Sequence, residues 1–423
     1  MKAEIITIGD EILLGQTVDT NSAWIAQNLV ERQIYVEQIT SITDTSAHIV
    51  AALTAAAGRS DLIICTGGLG PTNDDITKQT AAHYFQTPLI LNEEVMAHVQ
   101  SIFDRYEKPM PEINRGQAMV LKNAEVLFNE WGTAPGMWVE HQGKVFVFLP
   151  GVPFEMKNLM THRVLPRMND WRVGGRMAIR YLVVAGIGES YLAEMIADIE
   201  QSMPEHIRLA YLPQFGLIKL RLNAAGSAAD SLEREVEDWA SQLSARIGSA
   251  VVATEDVSFQ QVIVNAFTKE GCSLSTAESC TGGRLAAEIT AIPGASAMFL
   301  GGIVAYDNDV KQKFLNVGAN TLAKYGAVSG ETVEEMAMGA KKVLGTTYAI
   351  ATSGVAGPTG GTAAKPVGTV WIAVAGEKQV IKRKFQFKDD RVVNIQRTVA
   401  NALLLLWELF RQERALYPNI ISP

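Results

Sequence analysis

Ala277-Glu278-Ser279-Cys280-Thr281-Gly282-Gly283 follows an apolar strand pattern over 273–277 and runs directly into a helical pattern over 284–289. A strand that turns this abruptly into a helix presents side chains and free backbone N–H groups at the positive end of the helix dipole, where an oxyanion or a phosphate is favoured. Ser279 is the candidate nucleophile, and the amides of Thr281, Gly282 and Gly283 are the candidate donors. An ordinary N-cap serine followed by tight-turn glycines is the alternative that this motif alone leaves open. Around it, a helix starting near 258, further strand–helix alternations and a terminal helix at 393–411 predict an α/β domain with a largely parallel sheet covered by helices.

From 258 to 423 the chain has no histidine, which excludes a Ser–His–Asp triad or a histidine-containing zinc site formed within this domain. An active serine there needs lysine or tyrosine as its base. Both occur in Val304-Ala305-Tyr306-Asp307-Asn308-Asp309-Val310-Lys311, just after an apolar strand. Taken singly, Tyr306 reads as a half-buried strand-end aromatic and Lys311 as a solvated helix residue. A second glycine-rich turn, Ser353-Gly354-Val355-Ala356-Gly357-Pro358-Thr359-Gly360-Gly361, follows an apolar strand over 348–351. Its glycines permit close backbone approach to a ligand, or simply a flexible loop. Arg391, at the start of the final helix, is a candidate phosphate clamp or a surface cap.

Upstream, strands at 4–8 and 62–65, helices at 22–31 and 47–57, and an apolar strand at 145–150 predict a second α/β domain. There the turn Cys65-Thr66-Gly67-Gly68-Leu69-Gly70-Pro71-Thr72-Asn73-Asp74-Asp75 offers glycines for a phosphate and a carboxylate pair for a hard divalent cation, or a helix cap. Ile8-Gly9-Asp10-Glu11 ends the first strand with another acidic pair. The chain turns basic and irregular through Arg172, Arg176 and Arg180, where a boundary is expected. Strands at 181–185 and 217–223, with helices at 190–199 and 228–247, then read as a small α+β domain. The predicted domains are 1–170, 175–250 and 257–415.

The 423 residues are too many for one ordinary core and fit two or three. A net charge of -8 argues against a general nucleic-acid binder. No apolar run reaches the roughly 18 residues of a membrane span, and the N-terminus reads as a buried strand, not a signal peptide. Three scattered cysteines, Cys65, Cys272 and Cys280, suit a reducing cytoplasm.

Ala-Glu-Ser-Cys-Thr-Gly-Gly, Gly-Gly-Ile-Val-Ala-Tyr, Tyr-Gly-Ala-Val-Ser (325–329), Ser-Gly-Val-Ala-Gly-Pro and Lys-Pro-Val-Gly-Thr-Val resemble, in this order, the C-terminal domain family of CinA, the nicotinamide-nucleotide amidases. The resemblance implies hydrolysis of nicotinamide mononucleotide to nicotinic acid mononucleotide and ammonia, in NAD recycling. It maps the nucleophile onto Ser279 and its partners onto Tyr306 and Lys311. Ser353 stands where the family often has threonine. Cys280 is the rival nucleophile and carries less weight. The motifs at 8–15, 65–77, 132–136 and 149–153 resemble the molybdopterin-binding-like family in its CinA branch, although Asn129-Glu130-Trp131 replaces the usual Asn-Pro. That resemblance implies either metal-dependent cleavage of ADP-ribose at its pyrophosphate or a pterin-type ligand without chemistry. It makes Asp10, Asp74 and Asp75 candidates for Mg, Mn or Co, with Thr66, Gly67, Gly68 and Gly70 around the phosphate. The middle segment 212–221 resembles the KH-like connecting domain of full-length CinA proteins. It lacks a Gly-x-x-Gly clamp and a basic helix, so it reads as a spacer or dimer surface and not as a nucleic-acid site. A homodimer is the assembly the resemblance implies. The competing reading is a regulatory protein of competence or damage response whose pockets hold nucleotide or pterin without turnover.

Overall fold

The computed structural model describes residues 1–168, 176–226, 229–388 and 390–414. The centre of the expected first boundary and the expected end at 415 lie outside the described residues. The chain forms two compact units, Met1–Gly175 and Arg176–Pro423. The second of these holds both the small middle domain and the C-terminal domain.

In the first unit the strands are β1 (Lys2–Ile8), β2 (Tyr35–Ile42), β3 (Leu62–Thr66), β4 (Leu89–Leu91), β5 (Met119–Leu121), β6 (Glu125–Leu127), β7 (Gly136–His141) and β8 (Lys144–Leu149). The main sheet runs β2-β1-β3-β8-β7-β6, and β4 pairs with β5 apart from it. The pairs β1–β2, β1–β3 and β3–β8 are parallel, whereas β8–β7 and β7–β6 are antiparallel. All five residues of β3 are buried, as a central strand covered on both faces requires. Ile5, Ile64 and Val147 pack with Ile25 and Leu29 of the helix Thr20–Glu31, and Ile6, Ile63 and Phe146 with Ile49 and Leu53 of the helix Ser46–Arg59. Every parallel strand therefore ends on the same edge, and the loops after β1, β2, β3 and β8 meet there.

The middle domain has β9 (Arg176–Ala185), β10 (Ile207–Gln214), β11 (Leu217–Gly226) and β12 (Val251–Ala253), an antiparallel sheet in the order β10-β11-β9-β12. Strand β10 is absent from the sequence-based expectation. It is a sheet-edge strand carrying Pro213, and most of it is exposed or half-buried, so it shows no apolar alternation. The tip of the β10–β11 hairpin rests on the C-terminal helix Arg391–Glu413: a Cβ on Gly216 would collide with Leu404, and the Arg397 guanidinium lies 5.5 Å over the Phe215 ring. Arg411 also donates to the Ser249 carbonyl at 2.7 Å. These contacts explain why the two domains form one unit.

The C-terminal domain has β13 (Leu274–Glu278), β14 (Phe299–Val304), β15 (Tyr348–Gly354), β16 (Thr369–Ala375) and β17 (Val380–Gln386), ordered β14-β13-β15-β16-β17. It is parallel across β14, β13 and β15 and antiparallel beyond. Strand alternation sorts side chains by size. Tyr348 and Ile350 face the helices Phe259–Lys269 and Arg391–Glu413, while Ala277, Ala349, Ala351, Ala373 and Ala375 face the helix Gly330–Leu344. The chain is thus an α/β protein with a small KH-like domain between two helix-covered sheets in sequence order, each sheet parallel on the side that carries its glycine-rich turns and antiparallel on the other.

Candidate active sites

Strands β13, β14 and β15 are parallel neighbours, so the turns that follow them converge at one edge of the sheet. Ser279, Cys280, Tyr306, Asn308, Lys311, Ala327, Val328, Ser353, Gly354, Ala356 and Arg391 line one cavity of about 210 Å³ there. All four residues expected to do chemistry, Ser279, Tyr306, Lys311 and Ser353, meet in it. Ser279 is 9% exposed and extends β13, its amide donating to the Thr352 carbonyl at 2.9 Å. Lys311 is no solvated residue. It is 1% exposed, and its ammonium nitrogen donates to the carbonyls of Ala305 at 2.8 Å and Tyr306 at 3.1 Å. Burial lowers its pKa, opposed by the nearby Asp307 carboxylate. Tyr306 is 62% exposed, more open than its sequence position suggests, and its hydroxyl accepts from Arg391 at 3.1 Å. Arg391 also donates to the Gly357 carbonyl at 2.8 Å, so it spans the mouth of the cavity. Ser353 donates to the Ala327 carbonyl at 2.7 Å and ties β15 to the loop holding Val328.

Two expectations are corrected. The amides of Gly282 and Gly283 do not point to a ligand: Gly282 donates to the Ser279 carbonyl at 3.2 Å, and Gly283, Leu285 and Ala286 donate to the buried Glu278 carboxylate at 2.8 to 3.0 Å. The positive end of that helix is filled by the protein's own carboxylate. Thr281 uses its hydroxyl on Thr352 at 2.7 Å inside the core. Of the glycines in the second turn, Gly354 lines the cavity, Gly357 contributes a carbonyl to Arg391, and Gly360 is outside the wall. Gly354 is required by packing, since a Cβ there would collide with Val370 and the Thr369 carbonyl of β16. The Cys280 thiol is buried and its pKa is pushed up to about 12, which leaves it almost wholly protonated.

The first unit has a larger cavity, about 450 Å³, at the corresponding edge of its sheet. Thr66, Gly67, Gly68 and Gly70 all line it, together with Glu11, Asp44, Asp74, Asp75, Asn21 and Glu155. Gly67 has φ 113° and lies against the Ile8 carbonyl, an approach that only glycine permits. Asp75 turns its carboxylate onto its own loop, accepting from the amides of Gly70 at 2.8 Å and Thr72 at 2.9 Å and from the Thr72 hydroxyl. Asp10 is outside the cavity wall. Its amide donates to Asp44 at 3.0 Å, and its carboxylate accepts from the Asp44 amide at 3.4 Å. Among the described residues no group of three or more His, Cys, Asp or Glu is placed to hold a metal ion, so Asp10, Asp74 and Asp75 do not form a three-ligand set. Asp44, which sequence reasoning missed, has a pKa raised by burial and by the charges of Asp10, Glu11 and Asp74, although the Asp10 amide pulls it down. The signal for it was an acidic residue straight after strand β2, a strand with too little apolar alternation to read.

Behind this wall Lys78 is 3% exposed and donates to the carbonyls of Gly116 at 2.8 Å and Gln117 at 3.3 Å. Burial lowers its pKa to about 8, against a smaller pull from Asp75. The unfolded chain holds this proton up to about pH 10.4, so between about 8 and 10.4 the unfolded state binds more protons and stability rises with pH. Unfolding of the first unit should therefore gain about 3 kcal/mol across that window from Lys78 alone. The difference between the wild type and Lys78→Met, measured by denaturant titration at pH 7.5 and 10.5, should show that gain; a flat difference would refute it.

No helix among the described residues is long and apolar enough to cross a membrane. Residues 4–170 match the probable molybdopterin binding domain, 179–253 the KH domain of damage-inducible protein CinA, and 256–410 the CinA C-terminal domain. A CinA-like protein of Cytophaga hutchinsonii is 43% identical over 96% of this chain and 97% of its own length, and one of Flavobacterium psychrophilum is 42% identical over 96% and 98%. The crystal structure of competence/damage inducible protein CihA from Agrobacterium tumefaciens is 41% identical over 36% of this chain and 93% of that one, with a TM-score of 0.36. Domain content, domain order and full-length identity agree, and this chain belongs to the CinA family.

Proposed function

We propose that the C-terminal cavity hydrolyses the amide of nicotinamide mononucleotide to nicotinic acid mononucleotide and ammonia. The observation that carries this reading is the meeting of Ser279 with a buried lysine whose pKa is lowered, in one cavity without histidine. Neutral Lys311 takes the Ser279 proton as the hydroxyl attacks the amide carbon. The oxyanion that forms is met by the amide of Cys280, the residue after the nucleophile in the cavity wall, since the amides of Gly282 and Gly283 are already engaged within the turn. Lys311 returns the proton to the leaving nitrogen, ammonia departs, and water then cleaves the acyl-serine with Lys311 again as base. Tyr306 has its hydroxyl on Arg391, which favours Lys311 as the base, and we assign the ribose phosphate to the Tyr306–Arg391 pair. Ammonia release from nicotinamide mononucleotide by the purified chain tests this. No release would make the binding-only, regulatory reading the leading one.

For the first unit we propose cleavage of the ADP-ribose pyrophosphate. Its residues fit a hard cation that keeps most of its waters and needs only one or two protein carboxylates. Asp44 and Asp74 would hold it, and their place in one cavity wall with the Thr66–Gly70 turn is what favours a cation there. When bound, such a cation neutralises pyrophosphate charge. The turn Thr66–Gly70 then brings backbone close to the phosphates without a side chain in the way. Asp74→Asn should lower metal-dependent AMP release from ADP-ribose about a hundredfold or more. Undiminished release would remove Asp74 from the site.

A further inference from the structure

Next to the Thr66–Gly70 turn, the wall of the first unit's cavity carries two side-chain acceptors. Asn21 lines the cavity and is only 8% exposed. Its amide nitrogen is spent on the Gly151 carbonyl at 2.8 Å and the Thr66 hydroxyl at 3.3 Å, while its carbonyl oxygen Oδ1 is buried and has no hydrogen-bond partner. An orphaned buried acceptor is costly, and it persists where a ligand donor completes it. Glu155, four residues beyond Gly151, lines the same cavity, half-buried. Asn129 donates to its Oε2 at 2.7 Å, and Asn129 is itself fixed by the Ala134 carbonyl at 2.8 Å and the Trp131 amide at 3.1 Å. The carboxylate is therefore oriented from behind. The two acceptors flank one turn, Pro150-Gly151-Val152-Pro153, all of which lines the cavity.

A carboxylate and an amide oxygen repel a phosphate and take hydrogen-bond donors. The ligand part at this wall must carry no negative charge and must offer donors, which in a sugar phosphate are its hydroxyls. Among the described residues no aromatic side chain lines the cavity, so a flat heterocycle would find no stacking face there. We infer that Asn21 and Glu155 form a subsite for the vicinal diol of a ribose, with the sugar's phosphate directed to the Thr66–Gly70 turn. This deepens the nucleotide reading of the first unit and rests on it, but not on turnover or on a metal.

The test is calorimetric titration of the full chain with ribose 5-phosphate and with 2-deoxyribose 5-phosphate, which lacks one hydroxyl of the diol. Wild type should prefer the ribose form about tenfold to a hundredfold, the range for a hydrogen bond to a charged acceptor. Glu155→Ala should erase the preference, weakening ribose 5-phosphate while leaving the deoxy form nearly unchanged. Asn21→Asp, which keeps shape and an acceptor, should retain part of it. Equal wild-type affinity for the two sugars, no binding of either, or an equal loss for both in Glu155→Ala would overturn the assignment. Tight binding of a pterin by the wild type with no sugar phosphate binding would do the same. Absent ADP-ribose cleavage alongside a clear ribose preference would sink the proposed hydrolysis and leave the subsite standing.

Discussion

Ser279→Ala is expected to abolish ammonia release from nicotinamide mononucleotide, by about a thousandfold or more, with nucleotide affinity kept within a few-fold. Loss of the attacking oxygen removes the covalent step itself, and the groups that serve it contribute little without it. The Ser279 backbone is pinned by β15 through Thr352, so truncating the hydroxyl leaves the turn in place. Cys280→Ala should keep activity, since a thiol with a pKa near 12 supplies almost no thiolate at neutral pH. Turnover that survives Ser279→Ala but falls with Cys280→Ala would transfer the nucleophile to the neighbouring position.

Lys311→Met is expected to lower kcat by about a hundredfold to ten-thousandfold, the usual range for removing a general base, with KM little changed. Methionine keeps most of the buried side-chain volume, so the loss reports chemistry more than packing. The sign of the pH effect follows from burial. Because burial lowers the Lys311 pKa, its neutral form appears at lower pH than that of a free lysine; below the folded pKa the amine is charged and cannot take the Ser279 proton. Activity should rise with pH through that pKa in the wild type, and the rising limb should vanish in Lys311→Met. An unaltered limb in the variant would assign it to another group, and unchanged kcat would take Lys311 out of the mechanism.

Much of this site was legible because its elements are local. Ser279, Tyr306 with Lys311, and Ser353 each follow an apolar strand, and parallel strands ending on one edge bring such turns together whatever the intervening chain does. The same logic located Thr66–Gly70. It failed where the folded geometry of a turn decides which partner a group takes. Glu278 looks like a neighbour of the nucleophile, yet it spends its carboxylate on the amides of Gly283, Leu285 and Ala286 and so removes Gly283 from the expected oxyanion donors. Asp75 looks like a metal ligand and caps its own loop, whereas Asp44 follows a strand too polar to read.

The sequence by itself determined the α/β architecture and the glycine-rich turns that line both cavities, since strand and helix periods and glycine turns are short-range properties, while its motifs carried the resemblance to three domain families in order. Tertiary structure decided the rest: that Lys311 is buried against the Ala305 and Tyr306 carbonyls, that Arg391 crosses from the last helix to Tyr306, and that Asn21 and Glu155 face one cavity. Burial and hydrogen-bond partnership are set by residues tens to hundreds of positions apart, and those two quantities determine which carboxylate, amine or amide is free to act.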